Sequence, residues 1–204
     1  MKLTVIGATG RTGSQVLIEG ARRGHEITAF TRRPEMLGDK SSLERVVTGD
    51  GLNREAVASA VSGADAVIAI IKSASRKGPH EISGVAQVLV ETMSTAGVRR
   101  LLMTSAYPVV ASKPRIPMTL LHVVFREGYA DMSRMEQTLQ SSDLDWTIAR
   151  LYGLVDKPSR RGVTVSRDLL EKPSTLSPAE AASVVLDLVA DDRYARTAVN
   201  IAGV

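Results

Sequence analysis

Apolar positions along this chain alternate between short continuous runs and longer stretches with helical spacing. Residues 1–6 (MKLTVI) form a first apolar run, and residues 15–21 read as a helix after a glycine-rich turn. Residues 26–31 (EITAFT) and 44–48 (ERVVT) predict a second and a third strand, and 53–61 a short helix. Residues 66–71 (AVIAII) are apolar throughout, as a strand covered on both faces should be. Residues 82–96 predict a long helix, with Gly97 placed to cap its carboxyl end. Residues 99–104 (RRLLMT) give a fifth strand, and 146–149 begin a sixth. A helix over 178–189 follows, with Ser177 as N-cap and Glu180 at its third position, and residues 198–201 predict a last strand. Strands alternating with helices specify an α/β class with a doubly wound parallel sheet. Right-handed crossovers gather the carboxyl ends of such strands on one edge, where ligands bind at the point of reversal in strand order.

One stretch breaks the alternation. Residues 107–117 carry Pro108, Pro114 and Pro117 with Lys113 and Arg115, and read as a loop leaving the fifth strand near the ligand edge. Residues 118–131 are helix-compatible and carry His122, Phe125 and Tyr129. A lid and a plain surface helix are both open readings of that segment.

Composition narrows the class. At 204 residues and 44% apolar content, residues 1–204 are expected to form one domain with a small substrate-side region near the carboxyl end. With no cysteine, disulfides, thiolate catalysis and a Cys-type zinc site are excluded. No stretch is long and apolar enough to span a membrane, and Lys2 leads straight into a strand rather than a signal peptide, so a cytoplasmic protein is expected. The net charge of +4 is spread along the chain. It reads either as a solvated surface or as an attraction for polyanionic small molecules. No dense basic tract or aromatic platform points to nucleic acid. The expected partner is a small-molecule acceptor, and the expected state a monomer or small homo-oligomer.

Chemistry enters at the first turn. Gly7-Ala8-Thr9-Gly10-Arg11-Thr12-Gly13 lies between the first strand and the first helix. There a first glycine permits a tight turn, a second lets a pyrophosphate approach the backbone, and a third lets helix and strand pack closely. The helix N-terminus adds free N–H groups and a positive dipole end. A carboxylate for the ribose hydroxyls of NAD is expected about 20 residues further on. That place reads Thr31-Arg32-Arg33-Pro34, with no carboxylate before Glu35. Two arginines suit a 2′-phosphate, since a charged hydrogen bond contributes roughly 1.5–3 kcal/mol, or about ten- to hundredfold in affinity. The arginines therefore predict NADP(H), with Arg11 in reach of the same phosphate, against the plainer reading of solvated loop charges.

The order of these motifs resembles the atypical short-chain dehydrogenase/reductase proteins. GATGRTG at the start, Gly49-Asp50 after the third strand, DAVIAII, GVRRLLMTSAY at the fifth strand and DLDWTIAR at the sixth carry the resemblance. The sub-group is the flavin reductase (biliverdin-IX-beta reductase-like) and NmrA-like set of NAD(P)-binding proteins, and the likeness covers essentially the whole chain. It implies a Rossmann-type sheet. It also implies that Gly7, Thr9, Gly10, Arg11, Thr12 and Gly13 surround the pyrophosphate, and that Arg32 and Arg33 face the adenosine phosphate. Asp50 would accept from the adenine amino group with Gly51 or Leu52 beside the ring, and Ile70, Ile71 and Lys72 would line ribose and nicotinamide. Ser105 would sit near the nicotinamide. From the residues alone, Asp50 reads equally as part of the cap of the helix at 53, and Lys72 as a loop lysine.

A departure from that pattern limits the chemistry. Short-chain dehydrogenases use a Tyr-x-x-x-Lys pair in which lysine lowers the tyrosine pKa. Aligned through Glu136 and DLDWTIAR, the tyrosine place holds Gly128 and the lysine place Met132, while Tyr129 is one residue off. Leu151 also stands where a proline often follows the arginine of the sixth strand. Alcohol dehydrogenation or epimerisation by that pair is not expected. Hydride transfer to a conjugated ring needs mainly stacking and distance. Ser105, Tyr107, His122 and Tyr129 are the polar candidates near such an acceptor, with Ser105 suited to orient a carbonyl or carboxamide. His122 titrates near neutrality, though a lone helix histidine is more often packed or solvated. His25 and His80 lack metal spacing, and Asp191-Asp192 reads as solvated charge, so no metal is expected. Three functions compete: an NADPH-dependent reductase of a flavin, quinone or tetrapyrrole-like acceptor, a non-catalytic NADP(H) redox sensor, and, more weakly, an isomerase or biosynthetic accessory protein.

Overall fold

The computed structural model describes residues 1–71, 78, 80–111, 124–159 and 162–204. Eight strands join in one sheet: β1 (Lys2–Ile6), β2 (Glu26–Thr31), β3 (Arg45–Thr48), β4 (Ala66–Ala69), β5 (Arg100–Ala106), β6 (Asp145–Leu151), β7 (Val163–Ser166) and β8 (Thr197–Gly203). Their order is β3-β2-β1-β4-β5-β6-β8-β7, with every pair parallel except β7 against β8. The chain steps outward from β1 to β3 and then returns to the other side of β1, which puts the reversal between β1 and β4. The helices are α1 (Arg11–Arg22), α2 (Arg54–Val61), α3 (Ile82–Ala96), α4 (Arg126–Gln140) and α5 (Pro178–Ala190).

Two cores cover the sheet. On one face Val16 and Leu17 of α1 and Ala181, Val185 and Leu186 of α5 pack on Leu3, Val5, Ile68 and Leu102. On the other, Val57 of α2, Leu89 of α3 and Met135 of α4 pack on Ile6, Val67, Leu101 and Ile148. All four residues of β4 are buried, as its unbroken apolar run predicts. Gly97 closes α3 at φ +72°, and the Ser177–Glu180 capping box opens α5.

The parallel-sheet expectation needs one correction, the antiparallel edge strand β7. Its four residues, VTVS, do alternate. The run is too short and too polar to stand out from a loop, and pairing with β8 alone makes it a strand. A second feature without a local signal is the start of α3. Its preceding residue Glu81 makes no side-chain cap. The fully buried Asp131 of α4 does so instead, accepting from the Ile82 N–H at 2.8 Å and from Ser83. Among the described residues no helix is long and apolar enough to cross a membrane.

Candidate functional site

A groove of about 340 Å³ opens at the carboxyl edge of the sheet, across the reversal between β1 and β4. Its floor is the end of β1 and the turn after it, Ile6, Gly7, Thr9 and Gly10. The end of β2 adds Phe30, Thr31, Arg32 and Arg33, and the turn after β3 adds Gly49, Asp50 and Gly51. Ile70 and Ile71 follow β4, and Glu81, Ile82 and Val85 come from the start of α3. Another groove lies at the opposite edge, among strand starts. It is walled by Lys2, Glu26, Glu44 and Arg45 and lacks the glycine turn.

The turn is shaped by contacts that exclude side chains. Gly7 has φ +83°, and a Cβ there would stand 2.1 Å from the Ile70 carbonyl oxygen. A Cβ on Gly13 would stand 2.1 Å from the Gly7 carbonyl oxygen, so α1 seats directly on the turn. Gly10 occupies the N-cap of α1 without a side-chain cap, and the first turn holds no acidic residue. The orphan N–H groups there are left for an anionic ligand. A glycine cradle closed to side chains and a helix start without a carboxylate fit a pyrophosphate.

The remaining residues expected there fall into place unevenly. Thr12 is buried with Gly13 on the inner face of α1, behind the groove rather than lining it. Arg11 reaches across to Asp156 in an exposed ion pair. Arg32 leans on Asp50, Nη1 to Oδ2 at 3.4 Å, and Asp50 Oδ1 accepts from the Leu52 N–H at 2.9 Å. Asn53, not Asp50, caps α2, its side chain accepting from the Ala56 N–H at 3.0 Å. Leu52 is 43% exposed and, unlike Gly51, does not line the groove. Thr9 and Thr31 share a hydroxyl contact of 3.0 Å, and Thr31 accepts from the Arg33 N–H. Lys72, His122 and residues 112–117 of the irregular loop lie outside the described residues.

On the β5 side the candidates are already engaged. Tyr107 was expected to face an acceptor. It is 3% exposed, and its hydroxyl donates to the Leu170 carbonyl and accepts from the Leu170 N–H. Its ring packs edge-on against Tyr152 at 5.6 Å, so the tyrosine anchors the segment before α5. Tyr129 lies against Phe125 at 6.0 Å, and burial pushes its phenol up, the opposite direction to a lysine-assisted tyrosine. Ser105 donates to Glu136, which Arg150 grips in turn. Arg150 ends the DLDWTIAR motif and Glu136 serves only to align it, and no role for either follows from chain position alone. Phe30, Thr31, Ile82 and Val85 were likewise missed, although each stands at the end of a strand or the start of a helix facing this edge.

A model of the NAD(P)H-binding family matches residues 7–192. The chain belongs to the NAD(P)H-binding family. Among relatives of this family member, an uncharacterized sugar epimerase, YhfK, of Bacillus subtilis is 27% identical over 177 residues, 83% of this chain and 79% of that protein. A 3-diazoavenalumate denitrifying reductase of a Streptomyces species is 32% identical over 198 residues, 84% of this chain, which spans only 63% of that reductase. A wide-type short-chain dehydrogenase/reductase from Veillonella parvula, solved in complex with NADP, superposes with TM-score 0.81 at 18% identity, covering 98% of this chain and 94% of that one. ChuY, an anaerobilin reductase from Escherichia coli O157:H7, gives TM-score 0.80 at 18% identity, covering 100% and 97%. Identities this low establish a shared fold and nothing finer.

Proposed function

We propose that this NAD(P)H-binding protein is an NADPH-dependent reductase that passes hydride to a planar conjugated acceptor of the flavin, quinone or tetrapyrrole class. The observation that carries the reading is a contrast within one edge of the sheet. The groove is furnished for a phosphorylated dinucleotide, while α4 holds Gly128 and Met132 where a tyrosine–lysine proton pair would stand. Bound NADPH supplies the hydride. The protein's own residues hold and orient: the turn and the start of α1 take the pyrophosphate, and Arg32 and Arg33 take the 2′-phosphate. An acceptor that delocalises charge over its rings and takes its proton from water suits such a site. The relative named for a denitrifying reductase supports reduction without specifying what this chain reduces.

The test is absorbance-monitored NADPH oxidation against FMN, FAD, riboflavin, small quinones and biliverdin, with NADH in parallel. Protein-dependent oxidation with one acceptor, faster with NADPH, is the expected result. Tight NADPH binding without turnover would replace the reductase by a redox sensor. In binding titrations, the Arg32→Ala/Arg33→Ala double variant should lose about ten- to hundredfold in NADPH affinity and leave NADH unchanged. Equal affinities for the two cofactors in the native chain would sink the NADP preference.

A further inference from the structure

Beyond the groove, at the carboxyl ends of β5 and β6, three side chains from distant parts of the sequence lock together. Ser105 stands beside Arg150 in the register of the two strands, and Glu136 comes down from α4. The Ser105 hydroxyl donates to Glu136 Oε1 at 2.7 Å. Arg150 donates to the same carboxylate, Nη2 to Oε2 at 2.6 Å and Nε to Oε1 at 3.0 Å. Glu136 is 5% exposed and Ser105 6%. The cluster belongs to the same edge as the groove. Ala69 of β4 pairs with Met103 of β5 in the last pair of the two strands, and the same register carried two residues further sets Ser105 on that face level with Ile71, which lines the groove. With the glycine turn and Arg32 on the β1–β3 side, the β4–β6 side is left for the reacting half of a dinucleotide that crosses the reversal.

The direction of the serine proton follows from its partners. A guanidinium has no acceptor, and a carboxylate forked by one offers only lone pairs. The single proton between Ser105 and Glu136 is therefore the hydroxyl's own, and it points inward. Turning it toward the ligand would strip a buried carboxylate of a hydrogen bond. What Ser105 has left is acceptor capacity. This narrows the expectation of a serine that orients a carbonyl or a carboxamide to one that accepts an N–H.

We propose that Ser105 is a one-way hydrogen-bond acceptor, fixed by Glu136 and Arg150, that selects a ligand N–H on the reacting side of the groove. Glu136 and Arg150 are positioning residues, and Ser105 is the group that touches the ligand. The inference rests on the reductase reading for its ligands, which offer two such groups: the carboxamide NH₂ of the nicotinamide and the ring imide N–H of a flavin-like acceptor.

Two pairs of probes separate these sources, and both are read as dissociation constants. The cofactor pair is NADPH and its reduced 3-acetylpyridine analogue, in which a methyl ketone replaces the carboxamide. The acceptor pair is riboflavin and N3-methylriboflavin. Loss of the hydrogen bond is expected to cost about tenfold. In one pair the N–H-bearing member should therefore lose its advantage by about that factor in Ser105→Ala, and keep it in Ser105→Thr. Ser105→Ala retains the Glu136–Arg150 pair but removes one hydrogen bond to the buried carboxylate, so its melting temperature should fall by only a few degrees and leave a folded protein for titration. Glu136→Gln can donate its amide to Ser105 and turn the hydroxyl outward, and should shift the same ratio toward the probe lacking N–H. The responding pair names the source. If Ser105→Ala leaves both ratios at their native values, the proposal is overturned. The acceptor panel is read separately. Turnover with unchanged ratios removes this inference alone, and changed ratios without turnover remove the reductase alone.

Discussion

On the β1 side of the reversal the groove is made largely of main chain: a glycine turn, the N–H groups opening α1 and the carbonyl of Ile70 behind Gly7. On the β5 side the same edge presents a knot of side chains, with Ser105, Glu136 and Arg150 closed on one another and Tyr107 closed on Leu170. The first construction tolerates almost no side-chain volume and fixes where a phosphate can go. The second tolerates volume but fixes the direction of protons. A dinucleotide half that never reacts is placed mainly by the former, with Arg32 and Arg33 added for the 2′-phosphate. The half that reacts needs the latter, because orientation there decides what the ligand must offer.

The comparison breaks most easily at Gly13. A valine there would put its Cβ 2.1 Å from the Gly7 carbonyl oxygen and 3.1 Å from the Ala8 Cα, both main-chain atoms with nowhere to move. Gly13→Val should lower NADPH affinity by roughly a hundredfold or more and cost about 1–3 kcal/mol of stability from overpacking. Titration and thermal unfolding check the two effects. Unchanged affinity would mean that phosphates do not use this turn.

The same division explains what was legible in the chain. Gly7, Thr9, Gly10, Arg32 and Arg33 belong to turns that follow strands legible in the sequence, Asp50, Gly51, Ile70 and Ile71 were implied by the family resemblance, and the structure lines one groove with all of them. The Ser177–Glu180 box and Gly97 were legible for the same reason, since each acts within a few residues of itself. Asp131 capping α3 from α4, a Glu136–Arg150 pair 14 residues apart and Ser105 31 residues from Glu136 depend on packing that no local window contains. Tyr107 misled because a tyrosine after β5 looks equally placed for catalysis or for anchoring a later segment. Only its contact with Leu170 decides. Strand β7 was hidden by its length, and its pairing with β8 came from the far end of the chain.

The side-chain half should yield to loss of charge balance rather than to added volume. Arg150→Met leaves the buried Glu136 carboxylate without its guanidinium. Breaking one member of such a pair costs roughly 3–5 kcal/mol. At about 2–4 °C per kcal/mol for a chain of this size, the melting point should fall by on the order of 10 °C. Adding Glu136→Leu should restore most of that loss, because an apolar pair of similar volume carries no uncompensated charge. If the double variant is no more stable than the single, the cluster is held by packing, and the contrast with the glycine cradle loses its basis.

A smaller effect should sharpen the comparison where the two halves meet. Glu180 opens α5, whose far face packs with α1 beneath the glycine turn, and it also holds Ser159 in the segment after β6. Burial works against its charge. Hydrogen bonds from the Ser159 hydroxyl and from the Ser177 and Ser159 N–H groups outweigh it and lower the carboxyl from 4.5 to about 2. A carboxylate lowered by folding contributes in full above its ordinary range, and the contribution is lost as pH falls through about 2. Glu180→Gln keeps the shape of the capping box but not the charge, and should cost about 1 kcal/mol at neutral pH. Measured by denaturant unfolding, the gap between native chain and variant should close as pH drops from the ordinary carboxylate range toward 2. NADPH affinity at neutral pH should hardly move, because the glycine cradle takes its shape from main chain. An equal loss of affinity and stability would show that the anchor after β6 also shapes the phosphate end, and that the two constructions are one.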